Sequence, residues 1–133
     1  MKRLFALIAL LITSCIPTTN KAYIPKQITT QNLFNMDDYQ YLTYFYSEYC
    51  RHCQNIKDEI DDFAKNTEIA FYYFCVDDQE ITYFNNKDGV IGVSALHNFY
   101  IVGTPSLVLF TNNTITEYYL GETEILEYIS FAK

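Results

Sequence analysis

The 133-residue chain has no tryptophan, only four glycines and three prolines, and few basic residues. So little glycine and proline excludes collagen-like and proline-rich architectures. Nine Lys and Arg against sixteen Asp and Glu give a formal net charge of −7. That balance argues against nucleic acid as a partner, because phosphate binding needs a basic face. Half of the residues are hydrophobic and 17% are aromatic, which excludes a disordered chain and allows one domain with its own core.

The first fourteen residues have the pattern of a secretory signal peptide. Lys2 and Arg3 form a short basic start, and a nine-residue apolar run from Leu4 to Ile12 follows. This run is too short to span a bilayer, which takes about 20 residues, but it suits the apolar centre of a signal peptide. We therefore predict that residues 1–14 are a removable signal. The alternative is a helix buried in the domain.

The end of this segment carries a more specific motif. Residues 12–15 read Ile-Thr-Ser-Cys and resemble the lipobox of bacterial lipoproteins. The resemblance implies that Cys15 is acylated and becomes the first mature residue, anchored to the bacterial cell membrane on its extracytoplasmic side. The alternative is an ordinary signal peptide with a chance Cys. Residues 15–27 contain Pro17 and Pro25 and are predicted to be a flexible linker.

The first half of the remaining chain alternates apolar runs with an amphipathic segment. Residues 41–47 and 69–76 are two apolar runs that predict buried strands. Between them, Ile56, Ile60 and Phe63 share one helical face. Two strands joined by a helix predict a parallel β-α-β unit.

The second half predicts a short helix, a hairpin and a final helix. Ser94 suits the N-cap of the short helix, Asn112 and Asn113 favour a turn between two strands, and Gly121 precedes the last helix. Residues 80–92 are polar, hold two glycines and are predicted to be an insertion within a domain spanning 28–133. The order of elements predicts an α/β fold with a central mixed β-sheet and helices on both faces.

Two cysteines stand at the start of the first predicted helix. The helix dipole and the free backbone N–H groups stabilise an anion there, which acidifies the thiol of Cys50. Cys53 follows one turn later and can attack the mixed disulfide that Cys50 forms. The pair is therefore expected to cycle between dithiol and disulfide, with a Cys50 pKa below about 7.

These cysteines belong to a longer pattern. Residues 41–53 resemble the strand and active-site turn of the thioredoxin family, in which an aromatic residue precedes the first Cys, as Tyr49 does here. Residues 101–110 resemble the second hallmark of that family, a cis-proline that packs beside the disulfide. The resemblance implies a thioredoxin-like fold, with Pro105 as the cis-proline and Thr104 as the residue that binds the substrate backbone.

Two positions depart from the family pattern. The acidic residue that the family often has six positions before the first Cys is Tyr44 here. Proton transfer from Cys53 must therefore use water, Tyr44 or Glu48, or be slower. The proline that bends the family's helix is replaced by Asp58, which predicts that this helix has no kink.

The residues between the cysteines favour a direction of electron flow. His52 precedes the second Cys, as in protein disulfide isomerase and the periplasmic disulfide oxidases. A partly protonated imidazole and the guanidinium of Arg51 stabilise a neighbouring thiolate, and stabilising the reduced form makes the disulfide a better oxidant. The alternative is that His52 is an exposed residue with no tuning role.

The other candidate groups are assigned structural roles. Cys75 lies within the second apolar run and is predicted to be a buried free thiol, the alternative being a regulatory disulfide with Cys50 or Cys53. Cys50, Cys53 and His52 are too close together for a tetrahedral metal site. We therefore expect no metal, and no cofactor other than the redox-active disulfide. His97 is predicted to lie on the surface.

Two functions are consistent with these features. The first is a membrane-tethered thiol-disulfide oxidoreductase that acts on extracytoplasmic protein or peptide thiols, with oxidation or isomerisation slightly favoured over reduction. It would be a monomer that works with a membrane redox partner. The second is a thioredoxin-fold accessory or binding protein for peptide or bacteriocin export, with little or no turnover.

Overall fold

The structure, a computed structural model, describes residues 23–133. The predicted signal peptide, Cys15 and the first part of the predicted linker lie outside the described residues. The four strands are β1 (Gln40–Tyr46), β2 (Ala70–Cys75), β3 (Ser106–Thr111) and β4 (Thr114–Leu120). The α-helices are α1 (Arg51–Asn55), α2 (Lys57–Asn66) and α3 (Gly121–Phe131), and two single-turn 3₁₀ helices span Asp88–Val90 and Leu96–Asn98.

The strands form one mixed sheet in the order β2-β1-β3-β4. β1 and β2 are parallel, as a helical crossover requires, while β1–β3 and β3–β4 are antiparallel. The β3–β4 hairpin turns through Asn112 and Asn113, whose φ angles of 50° and 54° are left-handed. Asparagine tolerates that conformation better than most residues, so the predicted turn is confirmed.

Each face of the sheet carries its own apolar core. On one face, strand residues including Leu42, Phe71 and Leu107 pack with Ile60 of α2 and Ile125 of α3. The opposite face is covered by the segment before β1 and by residues of the 81–102 region. Its members include Leu33, Tyr41, Phe45, Val90, Phe99 and Phe110. The mixed sheet with helices on both faces is therefore confirmed, the helices of the second face being single 3₁₀ turns.

The first helix breaks, contrary to the sequence prediction. Ile56 separates α1 from α2 with φ −109° and ψ 9°, which lie outside the α-helical range. The side chain of Ile56 is only 2% exposed. The break therefore needs no proline at Asp58: one residue leaves the helical conformation while its side chain remains in the core.

The helix predicted from Ser94 is also shorter than expected. Only Leu96–Asn98 form a 3₁₀ turn, and its N-cap is Ala95 without a side-chain hydrogen bond. Phe99 and Ile101 follow in extended backbone and are buried in the core of the second face. Burial of these two side chains outweighs the local preference for another helical turn.

Both ends of the predicted insertion are attached to the domain. At one end the N–H of Gly92 donates to the carbonyl of Ile115 at 2.8 Å, and the N–H of Ile115 donates to the carbonyl of Val93 at 2.9 Å. At the other end Tyr83 forms a parallel bridge with Ile101. The insertion is therefore attached to β4 at one end and to the segment that leads to Pro105 at the other.

Backbone pairing begins slightly before the predicted start of the domain. The N–H of Tyr73 donates to the carbonyl of Lys26 at 2.8 Å, and the N–H of Ile28 donates to the carbonyl of Tyr73 at 2.9 Å. This short parallel bridge extends the sheet beyond β2. Within residues 23–133, no helix has the length and apolar character needed to cross a membrane.

Candidate active site

The two cysteines of the C-x-x-C motif are joined at the carboxyl end of β1. Cys50 is the N-cap of α1, and its Sγ accepts a hydrogen bond from the N–H of Cys53 at 3.1 Å. The disulfide links Cα atoms 5.2 Å apart. Cys50 is partly exposed, whereas Cys53 is only 4% exposed. An incoming thiolate therefore reaches the sulfur of Cys50 more easily than that of Cys53.

The turn before Cys50 is held by a carboxylate from the neighbouring strand. Asp77, just after β2, accepts hydrogen bonds from the hydroxyl of Ser47 at 2.5 Å and from the N–H of Glu48 at 2.9 Å. These two bonds hold the pKa of Asp77 below its ordinary value. This role was not predicted from the sequence. Its signal was available, because the carboxyl ends of parallel strands meet at one edge of a sheet.

The Thr104–Pro105 peptide bond is cis, as the resemblance implied. In the sheet register Phe45 of β1 pairs with Ser106 of β3, so Pro105 lies at the same edge as the cysteine turn. The carbonyl of Pro105 accepts a hydrogen bond from the N–H of Gly121 at 2.9 Å, which connects this loop to the start of α3. The roles of Thr104 and Pro105 in binding a client remain predictions.

Hydrogen bonds to side chains of β3 and β4 also hold the cis-proline loop against the sheet. Tyr118 of β4 accepts a hydrogen bond from the N–H of Val102 at 2.9 Å and shares one with the hydroxyl of Ser106 at 2.7 Å. The hydroxyl of Ser106 also lies within 2.6 Å of the carbonyl of Gly103, to which it can donate. The loop is thus fixed to the sheet on both sides of Pro105.

Side chains of α1 converge on Glu122, the second residue of α3. Nδ1 of His52 lies 2.8 Å from Oε1 of Glu122, and the side-chain amide of Asn55 donates to the same oxygen at 2.8 Å. The bond from Asn55, then that from His52 and the nearby charge of Arg51, hold the pKa of Glu122 below its ordinary value. Arg51 and His52 are exposed, as is Tyr49 at 90%. The imidazole beside the cysteines therefore has a carboxylate partner that was not predicted from the sequence.

A small cavity of about 120 Å³ lies behind Cys53. Tyr44 borders it, and the hydroxyl of Tyr44 has no hydrogen-bond partner within the part of the chain that the structure describes. Burial raises the pKa of Tyr44, so this phenol stays neutral at physiological pH. A neutral phenol cannot be the base that takes a proton from Cys53, although it can pass one along a hydrogen-bonded chain.

Carboxylates reach the same cavity from other elements. Glu48 and Asp61 both line it. Asp61, on α2, accepts hydrogen bonds from the hydroxyl of Tyr73 and from the ammonium of Lys57, each at 2.7 Å. The acidic residue of the family is absent from β1, but Asp61 on α2 supplies a carboxylate at the same cavity. Asp61 is therefore a further candidate for proton transfer, besides Glu48, Tyr44 and water.

The third cysteine of the domain lies near the site but apart from the disulfide. Cys75 is free and half-buried at the end of β2, with its Sγ 3.4 Å from Oδ2 of Asp77. The prediction of a free thiol is confirmed, but the prediction that it is buried is wrong, because the strand ends at this residue. Burial still raises the pKa of Cys75 above its ordinary value, so this thiol is mainly protonated near neutral pH. His97 is exposed, as predicted.

Comparisons with known proteins agree with this geometry. The family model described as Thioredoxin matches residues 26–132. No curated protein sequence matches the chain significantly. Among solved structures, thioredoxin of Fasciola hepatica is similar with a TM-score of 0.57 and 20% identity, covering 81% of this chain and 99% of that one.

Two other solved structures give similar values. Thioredoxin of Plasmodium falciparum has a TM-score of 0.57 and 16% identity, covering 81% of this chain and 99% of its own. Thioredoxin f2 of Chlamydomonas reinhardtii has a TM-score of 0.53 and 18% identity, with 81% and 93% covered. At these identities the structural likeness shows the fold alone. The family match, the cysteine pair and the mixed sheet together show that the chain belongs to the thioredoxin family and is a thiol-disulfide oxidoreductase.

Proposed function

We propose that this oxidoreductase is tethered to a bacterial membrane and acts outside the cytoplasm on thiols and disulfides of other proteins, with oxidation or isomerisation slightly favoured over reduction. One observation carries the proposal: a partly exposed Cys50 is bonded to a buried Cys53 at the sheet edge that also holds the cis-proline loop. This arrangement exposes the sulfur of Cys50 to a client and keeps the sulfur of Cys53 buried beside it.

In the oxidising direction, a client thiolate attacks the Sγ of Cys50, the Cys50–Cys53 bond breaks, and Cys53 leaves as a thiolate that takes up a proton. A second client thiolate then attacks the client sulfur of the mixed disulfide. This step forms the client disulfide and releases Cys50 as a thiolate. Two electrons have passed from the client to the cysteine pair, and a membrane redox partner that accepts two electrons restores the disulfide.

The tether is supported by the amino-terminal sequence. Residues 12–15 resemble a lipobox, and backbone pairing with the domain starts at Lys26. The segment between Cys15 and Lys26 can extend to roughly 35–40 Å, at about 3.3–3.6 Å per residue. Such a tether lets the active site of a monomer face soluble clients, and disulfides persist in that compartment. An acidic domain has no reason to bind nucleic acid.

The preferred direction is supported by charge near Cys50. Arg51 keeps its positive charge at any physiological pH and stabilises a thiolate beside it. Glu122 offsets part of that charge, so the shift is modest. We expect a reduction potential between those of thioredoxin, about −270 mV, and protein disulfide isomerase, about −180 mV. Equilibration with glutathione buffers measures it, and a value at or below that of thioredoxin contradicts the preference for oxidation.

The reaction is tested by trapping clients. Cys53→Ser removes the resolving thiol, so we expect this variant to accumulate mixed disulfides through Cys50 that are released by dithiothreitol. Cys50→Ser is the matched control and should trap far less, because Cys53 is buried. Trapping by neither variant contradicts the oxidoreductase mechanism on protein clients. Full cellular function of the variant lacking both cysteines would support the accessory role in peptide export instead.

The tether is tested separately. Cys15→Ser should move the protein from the detergent phase to the aqueous phase on phase partition and should abolish labelling by a clickable fatty acid. Cys75→Ser, which also removes one free thiol, should change neither property. Membrane association that survives Cys15→Ser contradicts lipidation at this residue.

A further inference from the structure

Exposed aromatic side chains lie around the active-site end of the domain. Tyr83 is 55% exposed and Phe84 is 58% exposed, and both belong to the predicted insertion. Tyr49, directly before Cys50, is 90% exposed. Large apolar surfaces left in water carry a free-energy cost, and a group of them beside a reactive centre marks a place for a partner.

The backbone places these residues next to the cis-proline loop. The N–H of Phe84 donates to the carbonyl of Ile101 at 3.1 Å, and the N–H of Ile101 donates to the carbonyl of Thr82 at 2.9 Å. Ile101 lies four residues before Pro105 in the same segment. Residues 82–84 therefore run alongside the segment that leads to the cis-proline.

Tyr83 is also connected to the cysteine turn through the charge of Asp77. Burial and the negative charge of Asp77 raise the pKa of Tyr83, so the phenol lies within electrostatic reach of that carboxylate. Asp77 in turn bonds Ser47 and the N–H of Glu48, within the turn that presents Cys50. Asp77 thus acts on the hydroxyl of Tyr83 through its charge and on the turn at Cys50 through its hydrogen bonds.

The aromatic surface is held in place before any partner arrives. The ring of Phe84 packs edge-on against that of Tyr100 with centroids 5.3 Å apart, and the hydroxyl of Tyr100 donates to the carbonyl of Asn86 at 2.7 Å. Within residues 23–133, the N–H and C=O of Tyr83 make no backbone hydrogen bond. An extended peptide can use such an open edge, because strand addition supplies main-chain hydrogen bonds while side-chain pockets select its sequence.

The charge around this surface selects among extended peptides. Glu48, Asp77, Asp78 and Glu80 are exposed acidic residues of the cysteine turn and of the segment leading to Tyr83. Lys87, the basic residue of the insertion, is bonded to Glu124 at 3.0 Å. An acidic rim attracts basic side chains and repels acidic ones.

We propose that Tyr83 and Phe84, together with Tyr49, form a docking surface for an extended, cysteine-containing client segment that carries apolar and basic side chains near its cysteine. This inference rests on the proposed function and names the class of client. It also assigns the insertion a role at the rim of the active site. An unfolded or newly exported polypeptide offers such a segment, whereas a folded protein hides its apolar side chains.

The test compares peptide disulfides with a small disulfide. The reduced full chain is mixed with a ten-residue peptide whose single Cys is blocked by a small chromogenic thiol. One peptide carries Leu, Phe and Lys around its Cys, and the other carries Ser and Glu. Oxidised glutathione serves as the small substrate. Second-order rate constants are measured by stopped flow.

The variant Tyr83→Ser/Phe84→Ser removes both rings, and Tyr39→Ser/Phe131→Ser is its matched control. The control also replaces one Tyr and one Phe that are exposed, by 72% and 82%, but at the start of β1 and the end of α3, away from Cys50. We expect the first variant to react about tenfold more slowly with the apolar, basic peptide and unchanged with oxidised glutathione. The control variant should match the unmodified protein with both.

Several outcomes overturn the proposal. Equal rates of the two double variants with the apolar peptide would exclude docking at Tyr83 and Phe84. Equal rate constants of the unmodified protein with the two peptides would exclude the proposed preference for apolar and basic client segments. Concentration-dependent dimerisation that Phe84→Ser abolishes would assign the surface to a second copy of the chain instead. If the unmodified protein reacts with no disulfide at all, the proposed function fails, and that result is distinct from a loss confined to the apolar peptide.

Discussion

Glu122 places a negative charge beside the helix that begins at the cysteine pair. Its carboxylate accepts a hydrogen bond from Asn55 and contacts Nδ1 of His52, so it draws two side chains of α1 towards α3. A negative charge at this place opposes the formation of a thiolate at Cys50, whereas Arg51 favours it. The charge balance at the active site therefore depends on a residue seventy positions from His52.

Replacing Glu122 by Gln should raise the reduction potential. The amide preserves the size of the side chain and still offers an oxygen to Asn55, but the negative charge is lost and Arg51 is no longer offset. The thiolate of Cys50 then becomes more stable, and we expect a rise of about 10–20 mV together with a lower pKa of Cys50. Glutathione equilibration gives the potential, and the rate of alkylation as a function of pH gives the pKa.

Glu124→Gln is the control for this substitution. It makes the same charge change in the first turn of α3, but Glu124 bonds Lys87 and the N–H of Leu120 rather than α1. We expect its potential to match that of the unmodified protein. Equal shifts in both variants would show that net charge, and not the contact with His52 and Asn55, sets the potential.

At the scale of elements, the β3–β4 hairpin shows how one turn fastens a distant segment. Both turn residues have left-handed backbone, but only Asn113 also uses its side chain. Its Oδ1 accepts from the N–H of Met36 at 3.1 Å and from the hydroxyl of Tyr41 at 2.8 Å, and its Nδ2 donates to the carbonyl of Met36 at 3.1 Å. The hairpin thus holds the segment that enters β1.

We expect Asn113→Gly to destabilise the domain by about 2 kcal/mol, because two hydrogen bonds with Met36, worth about 0.5–1.5 kcal/mol each, are lost, together with the bond from the Tyr41 hydroxyl, whose proton is shared with the carbonyl of Leu33. Glycine adopts the left-handed conformation freely, so the turn itself is kept. Asn112→Gly is the matched control: that position is also left-handed, and its side chain makes no hydrogen bond within the described residues, so a change below about 0.5 kcal/mol is expected. Urea unfolding measures both. Equal losses would assign the effect to backbone entropy instead.

At the scale of the whole molecule, stability should be limited by carboxylates at low pH and by tyrosines at high pH. The folded state lowers the pKa of Asp77 through Ser47 and Glu48, and that of Glu122 through Asn55 and His52. Their contribution is present above the pKa values of the unfolded chain, about 4, and is lost as the pH falls through the lower folded values. Burial, followed by the hydrogen bond to Asp38, raises the pKa of Tyr72 to about 12.

At high pH, ionisation of the tyrosines makes the stability of the folded state fall as the pH rises. An unfolded tyrosine ionises near pH 10, whereas a folded one with a raised pKa keeps its proton, so rising pH favours the unfolded chain. We expect the urea midpoint to be nearly constant between about pH 5 and 9 and to fall on both sides. Asp77→Asn should make the acid side less steep, with a smaller effect on the alkaline side, because the charge of Asp77 also raises the pKa of Tyr83. A midpoint that keeps rising above pH 10 would contradict the burial of these phenols.

Most of the architecture was predictable because its signals are local. The apolar runs around Phe45 and Phe74 have the length of buried strands, and Asn112 with Asn113 has the left-handed preference of a tight turn. The spacing of Ile56, Ile60 and Phe63 is that of one helical face. The predictions fail where packing overrides a local preference, at the break at Ile56 and in the extended backbone of Phe99, since burial of those side chains depends on elements far away in the sequence.

The sequence by itself determined the chemistry of this protein: two thiols one turn apart, a proline for the loop beside them, and the strands and helix that carry them. Only the tertiary structure decided which charges surround those thiols. Asp77 follows β2, Asp61 lies on α2 and Glu122 lies on α3. The position of Asp77 after a parallel strand gave a signal in the sequence, whereas no spacing along the chain relates Asp61 or Glu122 to Cys50. The physical reason is that covalent neighbours set backbone conformation, whereas electrostatic interactions depend on distance in space, which exists only after the sheet and helices have packed.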